Sequence, residues 1–204
     1  MFHDTIAEAR FAGLQKQFGF KTCIETGTHL GHGALHASRY CDVVTIEINP
    51  DFRRQAMENW IKAGCELGLN CYRNGGIGGN RIWSYEGNSP EVLRQWFDTR
   101  LDGVSPHRLC FYLDAHWQGY WPLLDELKVV ADFGLKDSVI IIHDFKVPNK
   151  PFGYDTWNGQ ALDLDYVWAG LAAINPDFDL AYNEEANVAD GNPRGILYAT
   201  PALF

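Results

Sequence analysis

The chain contains few cysteines, and no two of them have the C-x-x-C spacing. Its 204 residues include five cysteines, an odd number. A disulfide framework needs an even set, and a structural zinc site usually needs closely spaced pairs. We therefore expect reduced thiols in a cytoplasmic protein at Cys23, Cys41, Cys65, Cys71 and Cys110.

Basic residues are also scarce. Lys and Arg together number 17 against 26 Asp and Glu, which gives a formal net charge of −9. Nucleic-acid binding depends on clustered Lys and Arg, because neutralising the phosphates releases counterions. RNA and DNA are therefore disfavoured as partners, and a small-molecule partner is favoured.

Long apolar runs are missing as well. No run approaches the 18 residues or so that a membrane-spanning helix needs, and the N-terminal MFHDTIAEAR carries acids where a signal peptide would carry bases. We expect neither a membrane span nor an export signal. A content of 46% hydrophobic and 21% charged residues is ordinary for a globular protein. The length suits one domain over residues 1–204, with self-association left open.

Short strand patterns alternate with helix patterns along the chain. Strands are predicted at 20–25, 43–48, 81–85, 109–113, 138–142, 178–183 and 195–200. Helices are predicted at 4–17, 33–38, 50–64, 90–99, 121–133 and 161–174. This alternation predicts a doubly wound α/β fold with a mostly parallel sheet, and the turn-rich ADGNPRG predicts that the last two strands form an antiparallel hairpin.

The segment IETGTHLGHGALHASRY, residues 24–40, allows two interpretations. On one helix, His29, His32 and His36 would share a face, as the ligands of a metal site do. The glycines instead indicate a tight turn whose backbone amides face a ligand. Because His29 lies inside the turn, before the helix begins, we interpret the segment as a glycine loop.

Acids and amides follow the strands of the predicted sheet. Ligands of open α/β sheets bind outside the carboxyl ends of the strands, which directs attention to Glu25, Glu47, Asn88, Asp114 and Asp144. Glu47 ends the second strand 22 residues after Glu25 (47 − 25), about the spacing at which a carboxylate accepts ribose hydroxyls in dinucleotide sites.

The loop E-T-G-T-H-L-G, residues 25–31, resembles the first motif of class I S-adenosylmethionine-dependent methyltransferases, E/D-x-G-x-x-x-G. The nicotinamide-type G-x-G-x-x-G is not matched. The resemblance implies a Rossmann-like fold with seven strands and S-adenosylmethionine as cofactor, and Y-E-G-N-S-P, residues 85–90, is similar to the third motif, near the adenine. The residues thereby implied in cofactor binding are Glu25, Gly27, Thr28, His29, Gly31, Glu47, Ile48, Asn88, Ser89 and Asp114.

Two neighbouring strands end in F-Y-L-D-A-H-W and I-I-I-H-D-F. This pair is similar to the metal-dependent O-methyltransferases of the macrocin and catechol types, which implies Asp114, His143 and Asp144 as ligands of Mg²⁺ or another divalent cation. Histidine suits manganese, iron or zinc better than magnesium. The alternative is that these side chains only hydrogen-bond strand ends and helix caps.

Catalytic and substrate-binding residues are predicted beside this cluster. His116 is the first choice of base, with Asp114 or His143 behind it, and a histidine could act with or without a metal. In the catechol type, a lysine three residues after the first acid serves as the base, and Trp117 stands at that position here. Trp117, Tyr154 and Trp157 are predicted to contact substrate, the last two from a substrate-covering loop at 146–160.

The predicted function is O-methylation of a small hydroxylated acceptor, such as a sugar or a natural product. The predicted division is an N-terminal helix at 1–19, a cofactor-binding core at 20–145, the loop at 146–160 and a helix with hairpin at 161–204. A non-catalytic domain that binds the cofactor and an enzyme of another metal-dependent reaction are the alternatives.

Overall fold

A computed structural model describes residues 4–68, 71–75, 79–100, 108–116, 119–187 and 191–202. Trp117 lies outside the described residues. The helices are α1 Thr5–Phe18, α2 His32–Ala37, α3 Pro50–Lys62, α4 Ser89–Arg100, α5 Leu123–Asp132 and α6 Leu164–Ile174. The strands are β1 Thr22–Thr26, β2 Asp42–Glu47, β3 Cys65–Leu67, β4 Tyr72–Asn74, β5 Arg81–Glu86, β6 Cys110–Leu113, β7 Val139–His143, β8 Thr156–Trp157, β9 Gln160–Ala161, β10 Asp179–Tyr182 and β11 Ile196–Thr200.

The main sheet has the order β10-β11-β7-β6-β1-β2-β5-β4-β3. Its five central strands are parallel, and β11 lies antiparallel between β7 and β10. The doubly wound, mostly parallel sheet with a terminal antiparallel hairpin is therefore confirmed. The predicted number of seven strands is wrong for the described residues, because β3 and β4 add two short antiparallel strands at one edge.

Apolar layers cover both faces of the sheet. Alternate residues of β7 show this, since Ile140 belongs to an apolar cluster with residues of α4, α5 and α6, whereas Ile141 belongs to one with residues of α1, α2 and α3. Burial on both faces explains why the central strands are nearly continuous apolar runs. Among the described residues, no helix has both the length and the apolar character needed to cross a membrane.

Side-chain caps set the ends of two predicted helices. The Asp4 carboxylate accepts a hydrogen bond from the Ile6 amide at 2.9 Å, as expected for the start of α1. The predicted start of α6 at residue 161 is wrong, because Asp163 caps the helix through the Tyr166 amide at 3.2 Å. The preceding segment forms the hairpin of β8 and β9 around Asn158 and Gly159, both with positive φ, as a type I′ turn requires.

Candidate functional site

A cavity of about 760 Å³ opens at the carboxyl ends of the parallel strands. Its position is the one at which open α/β sheets bind ligands. The predicted site residues that line it are Gly27, His29, Glu47, Ile48, Asn88, Ser89, Asp114, His116, His143 and Asp144. Four of the five strand-end residues singled out in the sequence therefore meet at one place, and Glu25 is the exception.

The glycines of the first loop fit neighbouring protein groups closely. Gly27 has φ +82°, and a Cβ there would lie 2.7 Å from the Asp114 carbonyl oxygen. Gly31 has φ +78°, and its Cβ would lie 2.5 Å from Nε1 of Trp60, which donates a hydrogen bond to the Gly31 carbonyl at 2.7 Å. Gly31 is thus fitted to helix α3 and does not line the cavity, so its predicted contact with the cofactor stays a prediction.

Replacement of Gly31 by alanine is expected to lower the free energy of unfolding by about 2–4 kcal/mol, because left-handed strain and overlap with Trp60 add. The matched control is Gly13→Ala on the exposed face of α1, where a Cβ meets nothing within 4 Å. That change should stabilise the helix by about 0.5–1 kcal/mol. Urea unfolding of both variants measures the difference, and equal values would contradict the close fit.

Glu25 and Thr28 lie behind the cavity wall and do not line it. The Thr45 hydroxyl donates to Glu25 Oε2 at 2.6 Å and lies 2.6 Å from the Thr28 hydroxyl. Burial raises the pKa of Glu25 to about 8, although the hydrogen bond from Thr45 opposes this shift. Both residues belong to the glycine loop itself, and since neither lines the cavity, their predicted contact with the cofactor stays a prediction.

Glu47 presents a nearly buried carboxylate to the cavity. The backbone amide of His29 donates to one oxygen at 2.7 Å and that of Asn49 donates to the other at 2.9 Å. These bonds fix the carboxylate, and each oxygen keeps capacity for a further donor. His29 has φ +47° and precedes α2, whereas His36 on α2 pairs with Glu8, so the three histidines form no metal face.

Apolar side chains line the cavity beside this carboxylate, and the sequence prediction included Ile48 but missed Phe52. Ile48 and Phe52 line the cavity with 37% and 36% of their surfaces exposed. The His29 ring packs edge-on against Phe52, with centroids 4.7 Å apart. A sequence signal existed, because Phe52 lies in the first turn of α3, shortly after the acid that ends β2.

A buried acid lies below the opposite wall. The Ser89 hydroxyl donates a hydrogen bond to Glu126, whose side chain is fully buried at the start of α5. Burial raises the pKa of Glu126 to about 7, against the hydrogen bond from Ser89. The sequence did not reveal this residue, since acids in the first turn of a helix are usually exposed.

The predicted metal ligands converge. Ligand atoms of Asp114, His143 and Asp144 lie within 4.8 Å of one another. Nδ1 of His143 lies 3.1 Å from an Asp114 oxygen and 3.0 Å from an Asp144 oxygen. Burial lowers the pKa of His143, but the two carboxylates outweigh it and raise the pKa to about 9.

Arg194, which the sequence prediction missed, already pairs with this cluster. Its Nε donates to Asp144 Oδ1 and its Nη2 donates to Asp155 Oδ1. Burial would raise the pKa of Asp144, yet His143 and Arg194 hold it below its usual value. A second set of ligand atoms, from His116, Asp144 and Asp155, shares the same Asp144. Because the Arg194 guanidinium already contacts Asp144 Oδ1, the residues in this arrangement do not fit a divalent cation.

His116 lies at the cavity wall beside Asp155. Its Nδ1 is 3.6 Å from Asp155 Oδ2, and its side chain is more than half exposed. Tyr154 and Trp157 are exposed but do not line the cavity, so their predicted contact with substrate stays a prediction. The Lys146 ammonium instead lies 5.5 Å from the centre of the Tyr154 ring.

The parallel sheet, its terminal antiparallel strands and the cavity define a Rossmann-like fold of the class I methyltransferase type. No protein-family model matches the chain, and no curated protein matches it. The SAH-bound methyltransferase PaMTH1 of Podospora anserina is 20% identical, with a TM-score of 0.57 over 95% of this chain and 77% of that one.

Two further solved structures are similar in fold. The O-methyltransferase TomG of Streptomyces achromogenes, involved in tomaymycin synthesis and solved with SAM, is 14% identical, with a TM-score of 0.56 over 95% of this chain and 78% of its own. An rRNA methylase of Streptococcus thermophilus is 10% identical, with a TM-score of 0.53 over 96% and 94%. These likenesses confirm the predicted fold.

Proposed function

We propose that the protein is an S-adenosylmethionine-dependent methyltransferase that methylates a hydroxyl group of a small molecule, such as a sugar or a natural product. The observation that carries this proposal is the cavity of about 760 Å³ with the fixed Glu47 carboxylate at the end of β2. Support comes from the shared fold of PaMTH1 and TomG, which were solved with SAH and SAM.

The lining of the cavity fits the parts of this cofactor. Glu47 offers carboxylate oxygens to the two hydroxyls of a ribose. Ile48 and Phe52 offer apolar surface to a flat base, and Asn88 and Ser89 add polar groups on the other wall. A mostly apolar pocket with a few fixed polar groups is the usual form of a cofactor site.

Bound S-adenosylmethionine supplies an electrophilic methyl group on a sulfonium ion. The chain must then remove a proton from the acceptor hydroxyl, and His116 at the cavity wall is the residue we assign to that role. His143 is less suited to it. With a pKa of about 9 it already carries its proton at neutral pH and donates it toward Asp114 and Asp144.

Metal assistance, which the resemblance implied, is not part of this proposal. The convergence of Asp114, His143 and Asp144 favours it, and the pairing of Asp144 with Arg194 opposes it. The proposed proton transfer to His116 requires no metal ion.

The acceptor is proposed to be small and not a nucleic acid. The fold is shared with an rRNA methylase, so the fold itself does not select the acceptor. The net charge of −9, together with the Glu47, Asp114 and Asp144 carboxylates at the cavity, disfavours a polyanion.

Glu47→Gln is expected to weaken the binding of S-adenosylhomocysteine about 10- to 100-fold, because hydrogen bonds to a charged group contribute about 1.5–3 kcal/mol. The control is Glu58→Gln on the exposed face of α3, which should bind like the wild type. Calorimetric titration measures both. If the wild type bound neither S-adenosylmethionine nor S-adenosylhomocysteine at about 1 mM, far above ordinary cofactor affinities, the proposed function would be wrong.

A further inference from the structure

Arg194 joins two acids that come from different parts of the chain. Asp144 follows β7, whereas Asp155 lies at the end of the segment that leads into the small hairpin. One guanidinium donates to both through different nitrogens. A planar fork of donors can bridge two carboxylates in this way, which the point charge of a lysine cannot do equally well.

The backbone holds this arginine in place. The Gly153 amide donates to the Pro193 carbonyl at 2.8 Å, and the Gly195 amide donates to the Gly153 carbonyl at 3.0 Å. A Cβ on Gly153 would lie 2.8 Å from Nη1 of Arg194, so the absence of a side chain there leaves room for the guanidinium. The bridge is therefore part of the folded structure and not a loose surface contact.

Asp144 is fixed from its own side as well. Its φ of +56° is uncommon for a residue other than glycine, and its carbonyl accepts a hydrogen bond from the Asp155 amide at 2.9 Å. The same carboxylate oxygen that Arg194 contacts lies 3.0 Å from Nδ1 of His143. A divalent cation ligated by this oxygen of Asp144 would have to displace the Arg194 guanidinium or approach its positive charge.

We propose that Arg194 takes the place of a divalent cation at this site: it is the fixed positive charge that positions Asp144 and Asp155. Asp155, held on one oxygen by Arg194, turns its other oxygen to Nδ1 of His116. Arg194 thus acts as a positioning residue for the His116 side chain. Only this last step rests on the proposed function, because cation binding can be measured without turnover.

The test uses the full chain after dialysis against EDTA, with Mn²⁺ as the probe and the electron paramagnetic resonance signal of free Mn²⁺ as the readout. We expect the wild type to leave Mn²⁺ free up to about 0.1 mM, a concentration at which weak carboxylate sites begin to fill. The Arg194→Gln variant should bind Mn²⁺ about tenfold more tightly or better, because the Asp144 and Asp155 carboxylates lose their cationic partner. The double variant Arg194→Gln with Asp144→Asn should lose that gain.

Two results would overturn the proposal. One is tight binding of Mn²⁺ by the wild type that Asp114→Asn or Asp144→Asn removes. The other is a folded Arg194→Gln protein that binds Mn²⁺ no better than the wild type. Arg194→Met, which keeps the aliphatic stem, replaces the glutamine variant if circular dichroism shows that the latter is unfolded. If neither variant folds, the wild-type titration decides: free Mn²⁺ supports the proposal, and binding removed by Asp144→Asn overturns it.

Failure of the proposed function would have a different signature. If the wild type binds neither Mn²⁺ nor S-adenosylhomocysteine, the proposal that Arg194 takes the place of a cation is supported. The proposed methyltransferase function would then be wrong. If methyl transfer is found, its rate in EDTA should equal the rate with added Mg²⁺ or Mn²⁺, and a strict requirement for either ion would overturn the role of Arg194.

Discussion

Replacement of His116 by alanine is expected to lower the rate of methyl transfer by about 10²–10⁴-fold, the usual contribution of a general base. His116 lines the cavity, and its Nδ1 lies 3.6 Å from Asp155. With Nδ1 facing a carboxylate, Nε2 is the nitrogen left to accept a proton from the acceptor. Release of S-adenosylhomocysteine over a panel of sugars and phenols measures the rate.

The loss should appear in kcat, with the affinity for S-adenosylhomocysteine unchanged, because His116 is assigned to the acceptor and not to the cofactor. His32→Ala provides the control, since His32 is an exposed residue of α2 that does not line the cavity. A His116→Ala enzyme with the wild-type rate would exclude His116 as the base. The proton acceptor would then have to be sought elsewhere on the same wall, beginning with Asp114.

The sequence predicted the central fold well because burial leaves a simple pattern. Strands covered on both faces are short apolar runs, and β6 and β7 show this directly. The edge strands β3 and β4 left no such pattern, because each has three residues and most of them are partly or fully exposed. A strand held mainly by pairing with its neighbour is specified by tertiary context and not by local sequence.

The site was predictable where a residue ends a strand or directly follows one. Glu47, Asp114 and His143 belong to this group, because the ends of parallel strands meet at one edge of the sheet. Arg194 and Asp155 were missed for the opposite reason. They belong to loops that reach the site only through long-range packing, and nothing in their local sequence indicates a partner.

At Gly31 the sequence predicted the need for a glycine but not the group that it accommodates. The motif in which it occurs was identified, but the physical reason for the glycine was not. Its missing side chain makes room for the Trp60 indole and not for a ligand. A conformational requirement can be inferred from sequence, whereas the group that approaches the backbone cannot.

The free energy of unfolding of the ligand-free protein is expected to fall as the pH rises from about 5 to about 8. The pKa of Glu25 is raised by burial to about 8 and that of Glu126 to about 7, from 4.5 for both. The pKa of His143 is raised from 6.5 to about 9, since Asp114 and Asp144 outweigh its burial. In all three cases the unfolded chain releases its proton at a lower pH than the folded chain does.

The sign follows from proton linkage. At a pH between the two pKa values of a group, the folded state binds more protons than the unfolded state does. The group's contribution to the free energy of unfolding is therefore fully present below its pKa in the unfolded chain, and it is lost as the pH rises through its pKa in the folded chain. For Glu126 this window runs from 4.5 to about 7. Its full contribution is about 3 kcal/mol, because one pKa unit corresponds to about 1.4 kcal/mol.

Glu126→Gln removes this contribution while it keeps an uncharged side chain of the same shape beside Ser89. The variant should therefore lose less stability than the wild type between about pH 5 and about pH 7. Urea unfolding across that range measures the slopes, and Glu58→Gln, on the exposed face of α3, should follow the wild-type curve. A wild type whose stability rises over this range, or a Glu126→Gln slope as steep as that of the wild type, would show that the Glu126 carboxyl is not held neutral by its burial.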